Sequence, residues 1–224
     1  MALRPLSLLE TRVLAVLVEK ALTVPDSYPL SLNSLVGGCN QKTARDPVIT
    51  ASEAEVQAAA DALKSLHLVF ESSGSRVTRH EHNMGRVLGL PSQSVALLAV
   101  LMLRGPQTSS ELRANSERLH RFADVSSVEG FLDELATRPE EKGGPLVVRL
   151  PRAPGAREAR WAHLLSGGVD AATLPVQAEA ADFVATSELM SMKARQDAMQ
   201  QEIDELRAKV EQLFAELGVG RPAA

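Results

Sequence analysis

The 224-residue chain predicts a mainly α fold with small β-hairpins (α+β), built as two tandem winged helix-turn-helix domains plus a C-terminal coiled-coil helix. Three observations carry that expectation. An order of helix, short helix, longer helix and hairpin occurs twice, at a period of roughly 85 residues. In each unit the hairpin follows the third helix, the order in which that helix reads a duplex and the hairpin forms the wing. Near the C-terminus, apolar residues recur seven apart at two seam positions, the signature of a coiled coil.

Composition excludes several function classes. Hydrophobic residues make up 45% and charged residues 23%, enough for a real core in a soluble protein. Aromatics are only 3%: Tyr28, Phe70, Phe122, Phe131, Trp161, Phe183 and Phe214. That is too few for a groove that stacks single-stranded bases. The lone cysteine, Cys39, rules out an internal disulfide and suits a reducing compartment. The longest apolar run, Val95 to Leu103, is about half a membrane span. Glu10 and Arg12 interrupt the N-terminal apolar stretch, which spoils a signal-peptide core. A soluble, cytoplasmic protein is expected. The net charge of −4 is unevenly placed: residues 170–217 hold ten acidic and four basic side chains, whereas residues 1–169 hold 18 and 19. The acidity therefore belongs to the tail, and the body remains compatible with a polyanionic partner.

Domain 1–86 opens with a helix from Leu8 to Leu22. Ser7 is its N-cap with Glu10 at the capping-box position, and Leu9, Val13, Val16, Leu17 and the stem of Lys20 recur at helical spacing. The prolines of Thr23–Pro29 break it. A short helix follows from Ser31 to Gly37, stopped by Gly37-Gly38. Ser52, with Glu55, caps a longer helix whose Val56, Ala59, Leu63 and Leu66 face the core. Leu68–Glu71 and Arg76–Glu81 form a hairpin around a Gly-containing loop.

Domain 87–168 repeats the order. Ser92 opens a helix with Val95, Leu98, Leu101 and Met102 apolar, ended by Gly105-Pro106. Thr108 caps a short helix through Glu111 and Leu112. Ser126 or Ser127 caps a third, with Val128, Phe131, Leu132 and Leu135 on one face. Leu146–Leu150 and Arg160–Leu164 are strands flanking the Pro151–Gly155 turn. Residues 169–186 are rich in Ala, Gly, Pro and acid, the composition of a flexible linker. Residues 187–217 carry Leu189, Gln196, Ile203, Val210 and Leu217 at one seam position and Met192, Met199, Leu206 and Leu213 at the other. They predict a helix about 46 Å long and a homodimer joined along it. Gln196 is a register-setting polar residue in that seam, and Glu202 and Arg207 suit a parallel pair. The alternative is an amphipathic helix folded back onto the body. Residues 218–224 read as a disordered tail.

Several short motifs add a resemblance. Glu19-Lys20, Thr23, Pro25 and Tyr28-Pro-Leu-Ser31 lead to Asn33; Cys39-Asn-Gln-Lys42 is followed by Arg45-Asp-Pro-Val48. Leu103-Arg-Gly-Pro-Gln-Thr108, Glu111-Leu-Arg113, Pro154-Gly155, Arg157-Glu158 and Trp161-Ala-His-Leu164 complete the set. Over residues 6–168 the chain resembles the YceH-like family of uncharacterised bacterial proteins. The resemblance implies a tandem winged-helix fold and a bacterial cytosolic setting, and it supplies no activity, substrate or catalytic residue. The family pattern commonly has Asn where Ala44 stands and Gly where Ser110 stands.

The winged-helix order points to duplex DNA, but the third helices are poor readers. One begins Ser52-Glu-Ala-Glu55 and the other holds Glu129, Asp133 and Glu134; carboxylates repel phosphate and accept only from cytosine amino groups. Residues Cys39 to Ala51 separate the second and third helices of the first unit, far more than a compact DNA-reading turn contains. That turn is expected to be absent. Cations gather instead on the hairpins and the second short helix: Arg76 and Arg79, then Arg149, Arg152, Arg157 and Arg160, with Arg113, Arg118 and Arg121. They are the candidate phosphate contacts. Their alternative is to solvate the hairpins or pair with the acidic tail. Asn40, Gln41, Lys42 and Arg45 form either a partner-contact surface or a self-bonded structural loop.

Enzyme chemistry is not expected. Cys39 has no histidine near it in sequence and reads as a buried thiol. His80-x-His82 is half a metal site that nothing completes. No Gly-rich phosphate loop, GxSxG or HExxH occurs. No metal or cofactor is called for. The leading expectation is a dimeric duplex-DNA binder, such as a transcriptional regulator, without membrane contact. The rival is an adaptor whose winged helices dock a protein partner and bind no DNA.

Overall fold

The computed structural model describes residues 3–72, 77–152 and 155–168. The linker, the heptad segment and Arg76 lie outside the described residues. Within them the protein is mixed α and β, with seven α-helices and two small antiparallel sheets.

Helix α1, Leu8–Thr23, starts in the expected capping box: the Ser7 hydroxyl accepts from the Glu10 amide, and the Glu10 carboxylate accepts from the Ser7 amide at 2.7 Å. The single apolar stripe expected of it is too narrow, because every residue from Glu10 to Val18 is buried. Helix α5, Ser92–Arg104, is likewise buried from Ser94 to Leu103. Helices apolar on all sides belong in an interior, and α1 and α5 pack against each other there. One hydrophobic cluster runs through both repeats, from Leu6 to Leu165.

Helix α2, Leu32–Cys39, continues through Gly37-Gly38 instead of stopping. A Cβ at Gly38 would lie 2.6 Å from Val16 Cγ1, so this glycine permits close approach to α1 rather than ending the helix. Helix α3, Glu53–Ser65, has the Ser52/Glu55 box and buries Val56, Ala59, Ala60 and Leu63. The first sheet has three strands where two were expected. β1, Leu30–Ser31, pairs with β3, Arg79–His82, which also pairs with β2, Val69–Ser72. Leu30 stands opposite His80, and Val69 opposite His82. A two-residue strand has no alternation to read, which is why β1 escapes a sequence pattern. The five-residue helix α4, Met84–Leu88, escapes for a similar reason: its N-cap Asn83 makes no side-chain cap bond.

The second repeat keeps the order. Helix α6, Ser109–Ser116, is capped by Thr108 as expected, and Glu111 completes a capping box with it. Helix α7, Val125–Ala136, is capped by Asp124 rather than by either serine. The Asp124 carboxylate accepts from both the amide and the hydroxyl of Ser127, at 2.7 and 2.6 Å. Val128, Leu132 and Leu135 are buried, with Phe131 packed on the core edge. β4, Val147–Arg149, and β5, Trp161–His163, form the second hairpin. Gln107 and Trp161 exchange backbone hydrogen bonds at 3.0 and 2.7 Å, tying that hairpin to the connection between α5 and α6.

Candidate nucleic-acid interface

The inserted connection between α2 and α3 turns Asn40, Gln41 and Arg45 onto protein partners, while Lys42, Thr43, Asp46 and Thr50 are exposed. Asn40 clamps the far end of the loop: its amide donates to the Ala51 carbonyl at 2.8 Å, and its Oδ1 accepts from the Ala51 amide at 2.7 Å. The Gln41 side chain donates to the Thr43 carbonyl at 3.0 Å. Arg45 is buried completely and makes a two-point ion pair with Glu19 of α1, at 3.2 and 2.6 Å. Its Nε donates to the Gly38 carbonyl at 3.2 Å. Lys42 alone of the four candidate loop residues is exposed. The loop is also tied to the second repeat, through an Asp46 amide that donates to the Leu103 carbonyl at 2.8 Å.

Sequence reasoning missed two partners in this strut, Arg12 and Glu19. Arg12 lies fully buried on α1 and donates to the carbonyls of Cys39 and Pro47, at 3.1 and 2.6 Å. Burial and the charge of Arg45 both lower its pKa. Glu19 is mostly buried. Burial alone would raise its carboxyl, but the Arg45 hydrogen bond and charge, aided by Lys20, hold it below the ordinary carboxylate range. An arginine inside an apolar helical stretch was the available cue. In the sequence it registers only as an interruption.

The cations of the second repeat are divided. Arg160 is held between the Pro106 carbonyl, at 2.8 Å, and Glu111, at 3.1 Å. Arg113 donates to the Ala123 carbonyl at 3.2 Å. Arg149 lies over the Trp161 ring, 5.9 Å from its centroid. Arg121 is widely exposed and pairs with Glu117 one turn earlier. Arg118, Arg152 and Arg157 are exposed, and no hydrogen bond or ion pair to them exists among the described residues. Glu158, the carboxylate of this hairpin, accepts from the Ser110 hydroxyl at 3.3 and 3.4 Å. In the first repeat, Arg79 is part-buried and donates to the Pro29 carbonyl at 2.8 Å.

The third helices present acid outward. Glu53, Glu55 and Asp61 on α3, and Glu129, Asp133 and Glu134 on α7, are all exposed. Cys39 is fully buried, and burial pushes its thiol up to about 12, so it holds no thiolate near neutrality. His80 is buried with neither ring nitrogen hydrogen-bonded; its nearest carboxylate, Glu71, is 3.9 Å from Nδ1 and is itself paired with Lys64. Burial lowers the pKa of both His80 and His82. Among the described residues no group of three or more His, Cys, Asp or Glu side chains is placed to hold a metal ion. No helix among them is long and apolar enough to cross a membrane.

Comparison with known proteins places this geometry in a family. Residues 6–156 match the family described as "Protein of unknown function, DUF480". A UPF0502 protein of Leptothrix cholodnii is 63% identical over 219 residues, covering 96% of this chain and 97% of its own. A UPF0502 protein of Methylibium petroleiphilum is 63% identical across 97% of this chain and 92% of its own. One from Burkholderia multivorans is 60% identical across 99% and 93%.

Proposed function

The chain belongs to this bacterial family of proteins of unknown function, and from that premise we propose a non-enzymatic, dimeric tandem winged-helix protein that binds duplex DNA through phosphate contacts of its second repeat. The recurring order of three helices and a hairpin supports the winged-helix reading. One observation carries the DNA reading: Arg118, Arg152 and Arg157 are exposed on that repeat without protein partners among the described residues. Free guanidinium groups on a wing and its neighbouring helix suit phosphate oxygens. The acidic outward faces of α3 and α7 oppose base readout, so binding is weakly specific and salt-sensitive. A transcriptional role fits such a protein, as does a homodimer through the heptads from Leu189 to Leu217.

Fluorescence anisotropy with a random-sequence duplex, titrated from low to physiological salt, tests the reading. Arg152→Glu with Arg157→Glu should abolish binding at moderate salt; an unchanged affinity and salt slope sinks the phosphate assignment. The second reading, a protein-docking adaptor, draws on the exposed Glu129, Asp133 and Glu134 of α7. It becomes the leader if the unmodified protein shows no DNA binding even at low salt. For the dimer, polar residues at both Ile203 and Leu206 should lower the light-scattering mass to that of one chain.

A further inference from the structure

The C-terminal half of α1, the last residue of β3 and the start of α5 border a cleft of about 240 Å³. Val18, Val95, Leu22 and Leu90 supply its apolar lining. The first two are buried, whereas Leu22 is left 42% exposed. Its polar side chains are His82 and Ser92, and no charged side chain lines it among the described residues. Ser92 already donates its hydroxyl to the Gln93 side chain, at 3.3 Å. His82 differs, because its place is fixed by groups other than its imidazole. Its amide donates to the Tyr28 hydroxyl at 2.6 Å, and the Tyr28 ring lies tilted, 6.2 Å away. No hydrogen bond to either ring nitrogen exists among the described residues, and of the two only Nδ1 is sealed from solvent.

Burial keeps the ring neutral near neutrality, so it has one proton to place. A sealed N–H without an acceptor costs more than a sealed lone pair, which assigns the proton to Nε2. The nitrogen left open is therefore a donor beside apolar surface. Few polar groups in an apolar cleft orient a ligand that matches them, here one with an apolar body and an acceptor oxygen. A carboxylate or phosphate would bring charge against apolar side chains with no cation to meet it. A dry cavity of about 150 Å³ holds benzene, so this cleft has room for one ring and a substituent. We propose that the cleft binds a small uncharged carbonyl compound, with its apolar body on Val18, Leu22, Leu90 and Val95 and its oxygen on His82. The site is separate from the second-repeat cations and stands whether or not those contact DNA.

Acetophenone is the probe, with isopropylbenzene as its apolar counterpart and benzoate as its charged one. Each is titrated against the full-length protein and read by saturation-transfer NMR. Acetophenone should bind about fivefold more tightly than isopropylbenzene, the worth of one neutral hydrogen bond, and benzoate should not bind. His82→Phe should erase the difference between the two neutral probes while both still bind. Because that change also touches the hairpin, Ser92→Trp, at an exposed position on the rim, supplies an independent reading. It should keep the urea midpoint of the unmodified protein and abolish binding of both probes. The proposal is overturned if acetophenone shows no saturable binding, if benzoate binds as well, if His82→Phe keeps the preference, or if Ser92→Trp keeps the affinity. Equal binding of isopropylbenzene by the unmodified protein also overturns it, and leaves a purely apolar cleft of the kind that receives a side chain of a protein partner.

Discussion

The two repeats join their second and third helices in opposite ways. In the first, the stretch from Asn40 to Ser52 is tied down by polar contacts: the Asn40 side chain onto Ala51, the Arg45 side chain onto Glu19, and the Asp46 backbone amide onto the Leu103 carbonyl at the end of α5. In the second, the shorter stretch from Glu117 to Asp124 anchors itself with apolar contacts. Phe122 is buried and meets both His120 and Phe131 edge-on, at 4.7 and 5.9 Å, while Arg118 and Arg121 point to water. Similar residue types thus serve architecture in one repeat and remain available in the other. The difference lies in what surrounds them. A carboxylate on α1 and the carbonyls at the end of α2 draw Arg45 and Arg12 inward, whereas no hydrogen bond or ion pair holds Arg118 among the described residues.

The contrast breaks most sharply at Glu19. Glu19→Gln leaves Arg45 buried without its counterion, which should cost about 3–5 kcal/mol in urea unfolding. Changing Glu19 and Arg45 together to apolar residues of similar size should cost less than the single change. Equal losses would mean the pair is not what holds the loop.

Acid is the next lever, and it acts on the hairpins. Burial lowers His163 from its ordinary 6.5 to about 4, and its Nδ1 has no partner. Above pH 6.5 the ring is neutral folded or unfolded and contributes nothing. Between pH 6.5 and 4 the unfolded chain takes a proton that the folded one refuses, so stability falls with pH and levels off below about 4. The full loss is about 3 kcal/mol at 1.36 kcal/mol per pK unit. His80 and His82 shift in the same direction and steepen the decline. Urea midpoints from pH 7 to 4.5 should fall less in His163→Gln than in the unmodified protein; parallel curves would remove His163 from the account.

Asn40→Ala removes both hydrogen bonds to Ala51 and should destabilise by about 1–2 kcal/mol. The smallest effect belongs to the outward region. Arg118→Gln should leave the urea midpoint within about 0.5 kcal/mol, while lowering the salt slope of duplex binding by about one. A large stability loss there would show that the second connection is also a strut.

The elements were legible where local chemistry dictates them. The boxes at Ser7/Glu10, Ser52/Glu55 and Thr108/Glu111 fix three helix starts, and both hairpins fall within a few residues of their expected strands. Legibility failed where a distant neighbour decides. Gly38 looks like a stop signal, yet it is a contact point for Val16. Asp124 competes with two serines one turn away, and a helix start with several capping residues is ambiguous in one dimension. Among the candidate site residues, exposure of Arg118, Arg152 and Arg157 follows from hairpin and helix patterning. The inward turn of Arg45 does not, because its partner Glu19 is 26 residues away.

The burial of α1 and α5 on every side has a mechanical consequence. A linker between two modules would let each search its own orientation, but here the joint is itself the core, and Asp46 bolts the first loop to the end of α5. The two hairpins are therefore carried on one packed interior, and turning one repeat against the other would open that interior to water.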